Sequence, residues 1–414
     1  MLPLYLDHNA TSPLLPEVAD ALDRAHRAGY ANPASQHAAG RKARQVLEDA
    51  RDRVGEILGA DVGSHRPDRV IFTSGGTEAN NLALLGLGRS AERGARNSER
   101  GEDNQAAHLL ISAVEHPSLR GPAAELVRSG FEVETIGVDR NGRIDAAVLA
   151  AQLRPATKLV SLQLANSETG VVQPVAEAAA VCHARNVLMH TDAAQAVGRI
   201  DVNFAQLGVD AMSAAAHKFH GPLGIGLLIV RRDVPLAPTL FGGFQQSGLR
   251  PGTESVPLVL GLLTALDIWH RERTERAARL AALRDEFEAR LRAGAEELIV
   301  HGATVERLPQ TSNVAFVGVN RQTLLMALDQ AGVACSTGSA CASGSSEPSP
   351  TLLAMDCPTA ELESSLRFSL GATTTAAEVA EAAERILRVY RELRRHEERR
   401  KLPSSGRSTG STPV

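Results

Sequence analysis

Apolar residues fall in short runs, each closed by small or polar residues, with longer helical stretches between them. The runs predict strands over 70–73, 108–112, 132–138, 159–164, 187–191, 209–213 and 226–230. Helices are expected over 117–129 and 175–184, and another from Ala79. Short apolar strands alternating with helices describe a mostly parallel sheet covered on both faces. Ahead of this rhythm, 4–11 reads as a short strand running into a polar turn closed by Pro13, then helices over 16–26 and 40–58. The stretch 89–105 breaks the rhythm. It is polar, interrupted by Gly and charged in both signs, and reads as a solvated surface loop.

From Val256 the pattern changes to one long helical stretch over 256–293, rich in Ala, Leu, Arg and Glu, of the kind that bridges domains. A strand over 311–317, a helix over 322–330, a Ser/Gly-rich loop over 335–347 and a strand over 366–370 follow. Thr375 and Glu378 have capping-box spacing, and Val379, Ala383, Ile386, Tyr390 and Leu393 mark the buried stripe of a last helix. The Ser/Gly/Thr/Pro-rich end is expected to be disordered. The organisation expected is a large domain over 16–273, a smaller α/β domain from 1–15 and 274–400, and a tail over 401–414.

Composition narrows the class. The 414 residues exceed one simple core. Hydrophobic residues at 43% and charged residues at 22% are ordinary for a soluble protein, and a net charge of −4 gives no reason to expect nucleic acid. No apolar run approaches the ~18 residues of a membrane span, and no signal-peptide pattern opens the chain. Cys182, Cys335, Cys341 and Cys357 match no disulfide or zinc spacing, so a reduced, cytoplasmic setting without a metal is expected.

Several positions carry chemistry. Lys218 follows His217 and precedes a loop holding Gly221, Pro222, Gly224 and Gly226. It reads either as a surface lysine or as a desolvated amine with a lowered pKa, usable as a nucleophile. Ser74-Gly75-Gly76-Thr77 joins a strand to a helix, as a tight turn or as a phosphate cradle of backbone N–H groups. Asp192 ends a strand, where it is a helix N-cap or the partner of a protonated ring nitrogen, with Gln195 three residues on. His116 follows another strand, incidental or placed to stack on a planar ring. Cys341 sits among Ser, Gly and Ala, a bystander thiol or a nucleophile on a mobile loop. Cys182 and Cys357 read as structural, and Cys335 as packed at the root of the loop. Arg367 lies inside a strand and needs a carboxylate, whether a ligand's or an internal one.

As a set, in this order, these residues resemble the cysteine desulfurases, pyridoxal-phosphate enzymes of aminotransferase class V with the fold type I architecture. The resemblance runs from Leu4 to about Leu393. It includes Tyr5-Leu6-Asp7-His8-Asn9-Ala10-Thr11, Thr73-Ser74-Gly75-Gly76-Thr77-Glu78, Asn166-Ser167-Glu168-Thr169-Gly170, Asp192-Ala193-Ala194-Gln195, His217-Lys218 and Arg367-Phe368-Ser369. The Ser-rich cysteine loop is similar to that of the NifS/IscS-like branch.

The resemblance implies a large domain with a mostly parallel seven-stranded sheet between helices, plus a smaller α/β domain. It implies that Lys218 holds pyridoxal phosphate as a Schiff base and later shuttles protons. His116 would stack on the ring, Asp192 pair with its nitrogen and Gln195 bond its hydroxyl. Gly76, Thr77 and His217 would hold the phosphate, with Thr253 reaching in from the second subunit of a homodimer. Asn166, Arg367, Asn32 and Ala10 would bind the substrate, L-cysteine. Cys341 would take the sulfur as a persulfide, release alanine and pass the sulfur to an acceptor protein of an iron–sulfur or thiolation pathway.

The chain departs from the family's pattern at Ala215, where a phosphate-bonding Ser is usual, unless Ser213 or water substitutes. It departs again at Leu223, where a Lys is usual, and in its tail. Other readings are a selenocysteine lyase or another class V enzyme, and a sulfur-trafficking protein without turnover.

Overall fold

The computed structural model describes residues 4–96, 106–338 and 347–401. Cys341 and its immediate neighbours, the stretch 97–105 and the tail from 402 lie outside the described residues.

After β1 (Leu4–Tyr5), α1 (Pro16–Arg27) and α2 (Ala38–Ile57) come the strands of the main sheet and their helices. These are β2 (Arg69–Thr73), α3 (Gly76–Arg96), β3 (His108–Ser112), α4 (Pro117–Arg128), β4 (Glu132–Ile136), α5 (Ala146–Gln152) and β5 (Thr157–Ser161). They continue with α6 (Val175–His183), β6 (Leu188–Asp192), α7 (Phe204–Leu207), β7 (Ala211–Ala215) and β8 (Gly226–Val230). The seven strands lie in the order β2-β8-β7-β6-β5-β3-β4. Every pairing is parallel except the two made by β8. Strands β3, β7 and β8 are buried along their whole length, as a sheet covered on both faces requires.

Because β8 runs against both neighbours, β2 and β7 point the same way, and Thr73 and Ala215 both pair with Gly226. The loop after β2 and the turn after β7 therefore emerge side by side. A Cβ on Gly226 would lie 2.6 Å from the Gly75 carbonyl carbon and 2.7 Å from the Ala214 oxygen, so glycine is what lets the loop sit this close. Asp192 ends β6 opposite Ser213 of β7, which puts Asp192 on the same edge. Ligands of open α/β sheets bind at this edge.

The helix α8 (Val256–Gly294) has 39 residues, about 58 Å at helical rise. Its first half packs into the sheet's core through Val256, Leu262 and Trp269. Its second half joins another apolar cluster through Leu280, Phe287 and Leu291. That cluster also holds Leu4, Leu6, Phe316, Phe368 and Tyr390. It is built with β9 (Leu298–Val300), β10 (Thr311–Phe316), α9 (Arg321–Gln330), β11 (Val333–Ala334), β12 (Ser365–Ser369) and α12 (Ala376–Lys401), while α10 (Pro350–Ala354) and α11 (Thr359–Leu362) meet in a small cluster of their own, Leu352, Met355 and Leu362. Strands β12-β10-β9 form an antiparallel sheet, while β1 pairs in parallel with β11. The capping box forms as expected. Thr375 N–H donates to Glu378 at 2.8 Å, and Glu378 N–H to Thr375 Oγ1 at 3.2 Å.

Three expectations are corrected. The loop expected from Arg89 is helix as far as Arg96, the end of α3. Its Arg, Ala and Glu residues are good helix formers, and a polar composition does not by itself separate a helix from a loop. The same helix begins at Gly76 rather than Ala79, so the glycine turn is its N-terminus. At the other end of the chain α12 includes Lys401, one residue past the expected boundary.

Candidate active site

A short 3-10 turn, Ala216–Phe219, carries His217 and Lys218 off the end of β7. Lys218 lines two adjoining cavities, together with His116, Ser167 and Gln195. Its Nζ donates to the Asn9 and Ala10 carbonyls at 2.7 and 3.0 Å. Burial, then the charges of Arg367 and Arg199, lower its pKa to about 8, against the pull of Asp192 and Asp7. Of the two readings of this lysine, the structure has the desolvated amine.

One cavity is lined by Gly76, Thr77, Asn80, His116, Asp192, Gln195, Ala215, His217 and Lys218. Asp192 accepts Ala194 N–H at 2.9 Å and Asn80 Nδ2 at 2.8 Å. No helix opens at Ala193; Asp192 closes a turn instead. Asn80 also donates to Ser118 Oγ at 2.8 Å, and His116 Nδ1 lies 2.7 Å from that hydroxyl. His116 caps α4, its Nδ1 accepting Ser118 N–H at 3.1 Å. With Nδ1 taking both protons, the neutral ring carries its own on Nε2, a tautomer assigned from the network. Burial, first, and the Lys218 and Arg120 charges lower the His116 pKa, while Asp192 raises it.

At the glycine-turn end, a Cβ on Gly76 would come 3.2 Å from Ala215 Cβ, so the glycine keeps the helix N-terminus open. His217 Nδ1 is 3.2 Å from Thr11 Oγ1, and burial with the Lys218 charge takes its pKa to about 4. Ser213 does not stand in for the hydroxyl missing at Ala215. It is fully buried and hydrogen-bonded to Asn80 Oδ1, with His190 Nε2 at 3.2 Å. Thr253 is exposed and lines a separate groove with Ser74 and Arg250, not the Lys218 cavity of its own chain.

The second cavity brings Ala10, Arg367, Arg120, Glu115 and Glu168 to Lys218. Arg367, 2% exposed on β12, donates to Asp7 at 2.6 Å and to the Gly338 and Ser167 carbonyls at 3.1 and 3.2 Å. Its Nε has no hydrogen-bond partner among the described residues. Glu115 and Glu168 are buried, and burial raises both pKa values, Glu115 well above the usual range. Asn166 lies beneath this wall. Its Oδ1 accepts Glu168 and Thr169 N–H at 2.9 and 2.8 Å, and its Nδ2 makes only long bonds, at 3.3 Å to Val114 O and 3.4 Å to Thr351 Oγ1. Asn32 lines neither cavity; it is exposed, with Oδ1 accepting Ala34 N–H at 2.9 Å.

Of the described thiols, Cys182 is buried, with its pKa pushed up to about 12, and burial raises that of Cys335 as well. Neither has the low pKa of a reactive thiol.

Residues 4–381 match the family model described as aminotransferase class-V. The chain belongs to that family. Among class V relatives it is 36% identical over 391 residues to the cysteine desulfurase IscS of Dictyoglomus turgidum, covering 94% of this chain and 95% of the relative. It is 39% identical over 392 residues to a cysteine desulfurase of Cereibacter sphaeroides, covering 94% and 96%. Among solved structures, a NifS-like protein superposes with a TM-score of 0.85 at 29% identity, covering 95% of this chain and all (100%) of that one. The fold is the type I fold of the pyridoxal-phosphate enzymes.

Sequence reasoning left out three residues of this class V site. Asn80 joins Asp192 to the cap of α4, and a polar side chain one turn into the helix after the glycines was the available signal. Asp7, quoted with the opening motif, holds Arg367. Arg199 is 3% exposed and donates to the Lys218 carbonyl from Nε at 3.1 Å and to the His8 carbonyl at 2.9 Å. An arginine after Ala196-Val197-Gly198 signals a buried charge, but nothing local says what it holds.

Proposed function

We propose that this protein is a cysteine desulfurase, which moves sulfur from L-cysteine to Cys341 and leaves L-alanine. The observation that carries the reading is a half-buried Lys218 of lowered pKa in one cavity with Asp192, His116 and Gln195. The near-full-length likeness to cysteine desulfurases supports it.

The cavity fits pyridoxal phosphate. Gln195 Oε1 is buried without a partner where a ring hydroxyl would satisfy it. Asp192 offers a carboxylate to a ring nitrogen, and the α3 N-terminus with Gly76, Thr77 and His217 offers donors to a phosphate. When bound, the cofactor supplies an aldehyde for covalent attachment to Lys218 and an electron-withdrawing ring that stabilises negative charge at the substrate's α-carbon. The exposed Thr253 is assigned to the phosphate site of a second copy in a homodimer.

The substrate side is the second cavity. Arg367, with its free Nε, takes the carboxylate of L-cysteine, beside Ala10 and the weakly bonded Nδ2 of Asn166. The exposed Asn32 contributes to binding through a rearranged loop or not at all. Lys218 Nζ would take and return protons at the substrate carbons. The Cys341 thiolate forms an S–S bond to the substrate sulfur as the C–S bond breaks. The carbon keeps the electron pair and gains a proton, giving alanine and an enzyme persulfide. An acceptor protein of an iron–sulfur or thiolation pathway then takes the outer sulfur.

The test is alanine formation from L-cysteine, with L-selenocysteine as competitor, in wild type and Cys341→Ser. Alanine from cysteine, lost in Cys341→Ser while the visible chromophore stays, is the expected result. Preference for selenocysteine points to a lyase. A coloured protein that never forms alanine, or full sulfide yield from Cys341→Ser without reductant, overturns the proposal.

A further inference from the structure

His301, Cys357 and Glu361 come together away from the active site, from the end of β9, the turn after α10 and the helix α11. Their donor atoms all lie within 4.8 Å of one another. His301 Nδ1 is 3.8 Å from Cys357 Sγ and 3.6 Å from a Glu361 carboxylate oxygen. Tetrahedral zinc, with bonds of about 2.0–2.3 Å, separates such ligand atoms by roughly 3.3–3.6 Å. The two distances from His301 Nδ1 are within a few tenths of an ångström of that, and the thiol and the carboxylate lie within 4.8 Å of each other, before any ion draws the ligands in.

The hydrogen bonds behind the histidine select the tautomer a metal needs. Ser365 Oγ donates its one proton to the Glu361 carbonyl at 2.6 Å, so it accepts from His301 Nε2, 3.1 Å away. The ring, 4% exposed, thus has its proton on Nε2 and presents the Nδ1 lone pair to the thiol and the carboxylate. A histidine held through its far nitrogen by a fixed acceptor is the usual support of a metal ligand.

We propose that His301 Nδ1, Cys357 Sγ and a Glu361 carboxylate oxygen bind a divalent zinc ion, with water as fourth ligand. Nitrogen, thiolate and carboxylate donors suit zinc, and two anionic ligands balance its charge. The site has a structural consequence. Cys357 follows α10, whose Pro350 and Thr351 line the substrate cavity, whereas Ser365 belongs to β12 and His301, just past β9, is bonded to β10 through its N–H to the Asn313 carbonyl. The ion ties that wall of the cavity to the sheet.

The site does not depend on the desulfurase reading, and its test does not use activity. Full-length, cofactor-loaded protein is stripped with chelator and titrated with Co²⁺, read by the d–d bands of tetrahedral cobalt at the red end of the visible spectrum, and then with Zn²⁺. One ion per chain is expected, with bands in wild type and Cys341→Ser and none in Cys357→Ser. Glu361→Gln, a substitution at a partly exposed helix position, separates loss of a ligand from loss of fold and is expected to weaken binding roughly tenfold or more, as is Ser365→Ala. Wild type without bands, bands that persist in Cys357→Ser, affinity unchanged in Glu361→Gln, or bands lost in Cys341→Ser would overturn the proposal.

Discussion

Competitive acetylation of the cofactor-free protein between about pH 6 and 11 should show Lys218 reacting with a midpoint near 8, far below an ordinary lysine. The perturbation is pH and the readout is mass spectrometry of the Lys218 peptide against a free lysine standard. The magnitude follows from the site. Burial and the cations Arg367 and Arg199 take the pKa from 10.5 to about 8. At pH 7 the neutral fraction is then roughly one tenth, about 300-fold more than in an unperturbed lysine. Restricted access scales every rate alike, so the midpoint, not the absolute rate, is decisive. The linkage has a definite sign. Between the folded and unfolded pKa values the unfolded chain binds the extra proton, so this group makes the cofactor-free protein more stable as pH rises from about 8 to 10.5. The shift is worth about 3 kcal/mol over that window. Arg367→Gln removes a like charge and leaves Asp7 unpaired; both effects move the midpoint up. A wild-type midpoint at or above about 10 would refute the reasoning.

Ala215→Ser places a hydroxyl in the cofactor cavity, and one added hydrogen bond to a charged phosphate, about 1.5–3 kcal/mol, should tighten cofactor binding tenfold or more in equilibrium dialysis. Unchanged affinity would mean that Ala215 does not face the phosphate. Asn80→Ala strips a partner from Asp192, Ser118 and Ser213, and should cost about 1–3 kcal/mol in urea denaturation. No loss would show that the network does not hold the site. Propionate, a carboxylate that Arg367 can hold, should raise the Lys218 acetylation midpoint; an unmoved midpoint would mean that the two groups are not coupled.

The sheet was legible because its strands are short and apolar between glycine and polar breaks, and β3 and β8 fall where the pattern put them. Lys218 and Asp192 were legible as residues at strand ends, and their resemblance to a known family named their roles. The direction of β8 was not legible, since an apolar strand reads the same either way, yet that reversal sets the glycine loop beside Ala215. Pairings across the chain were hidden too. Arg367 and Asp7 are separated by 360 positions, and nothing near either announces the other. Arg89 to Arg96 is helix where a loop is expected, because polar composition alone does not separate the two.

Burial, then the charges of Arg367 and Arg199, depress the Lys218 pKa, and burial with the Arg367 and Arg276 charges takes even Arg199 to about 9. Three cations so close form a site prepared for anions. If the substrate carboxylate binds Arg367 as proposed, it would cancel part of the charge that holds Lys218 down, and the amine would become more basic when substrate is in place. Before that, a low pKa favours the neutral amine that attacks an aldehyde; afterwards, a higher one favours taking a proton from carbon. One arrangement of charge can thus serve Lys218 in both roles, with substrate binding as the change between them.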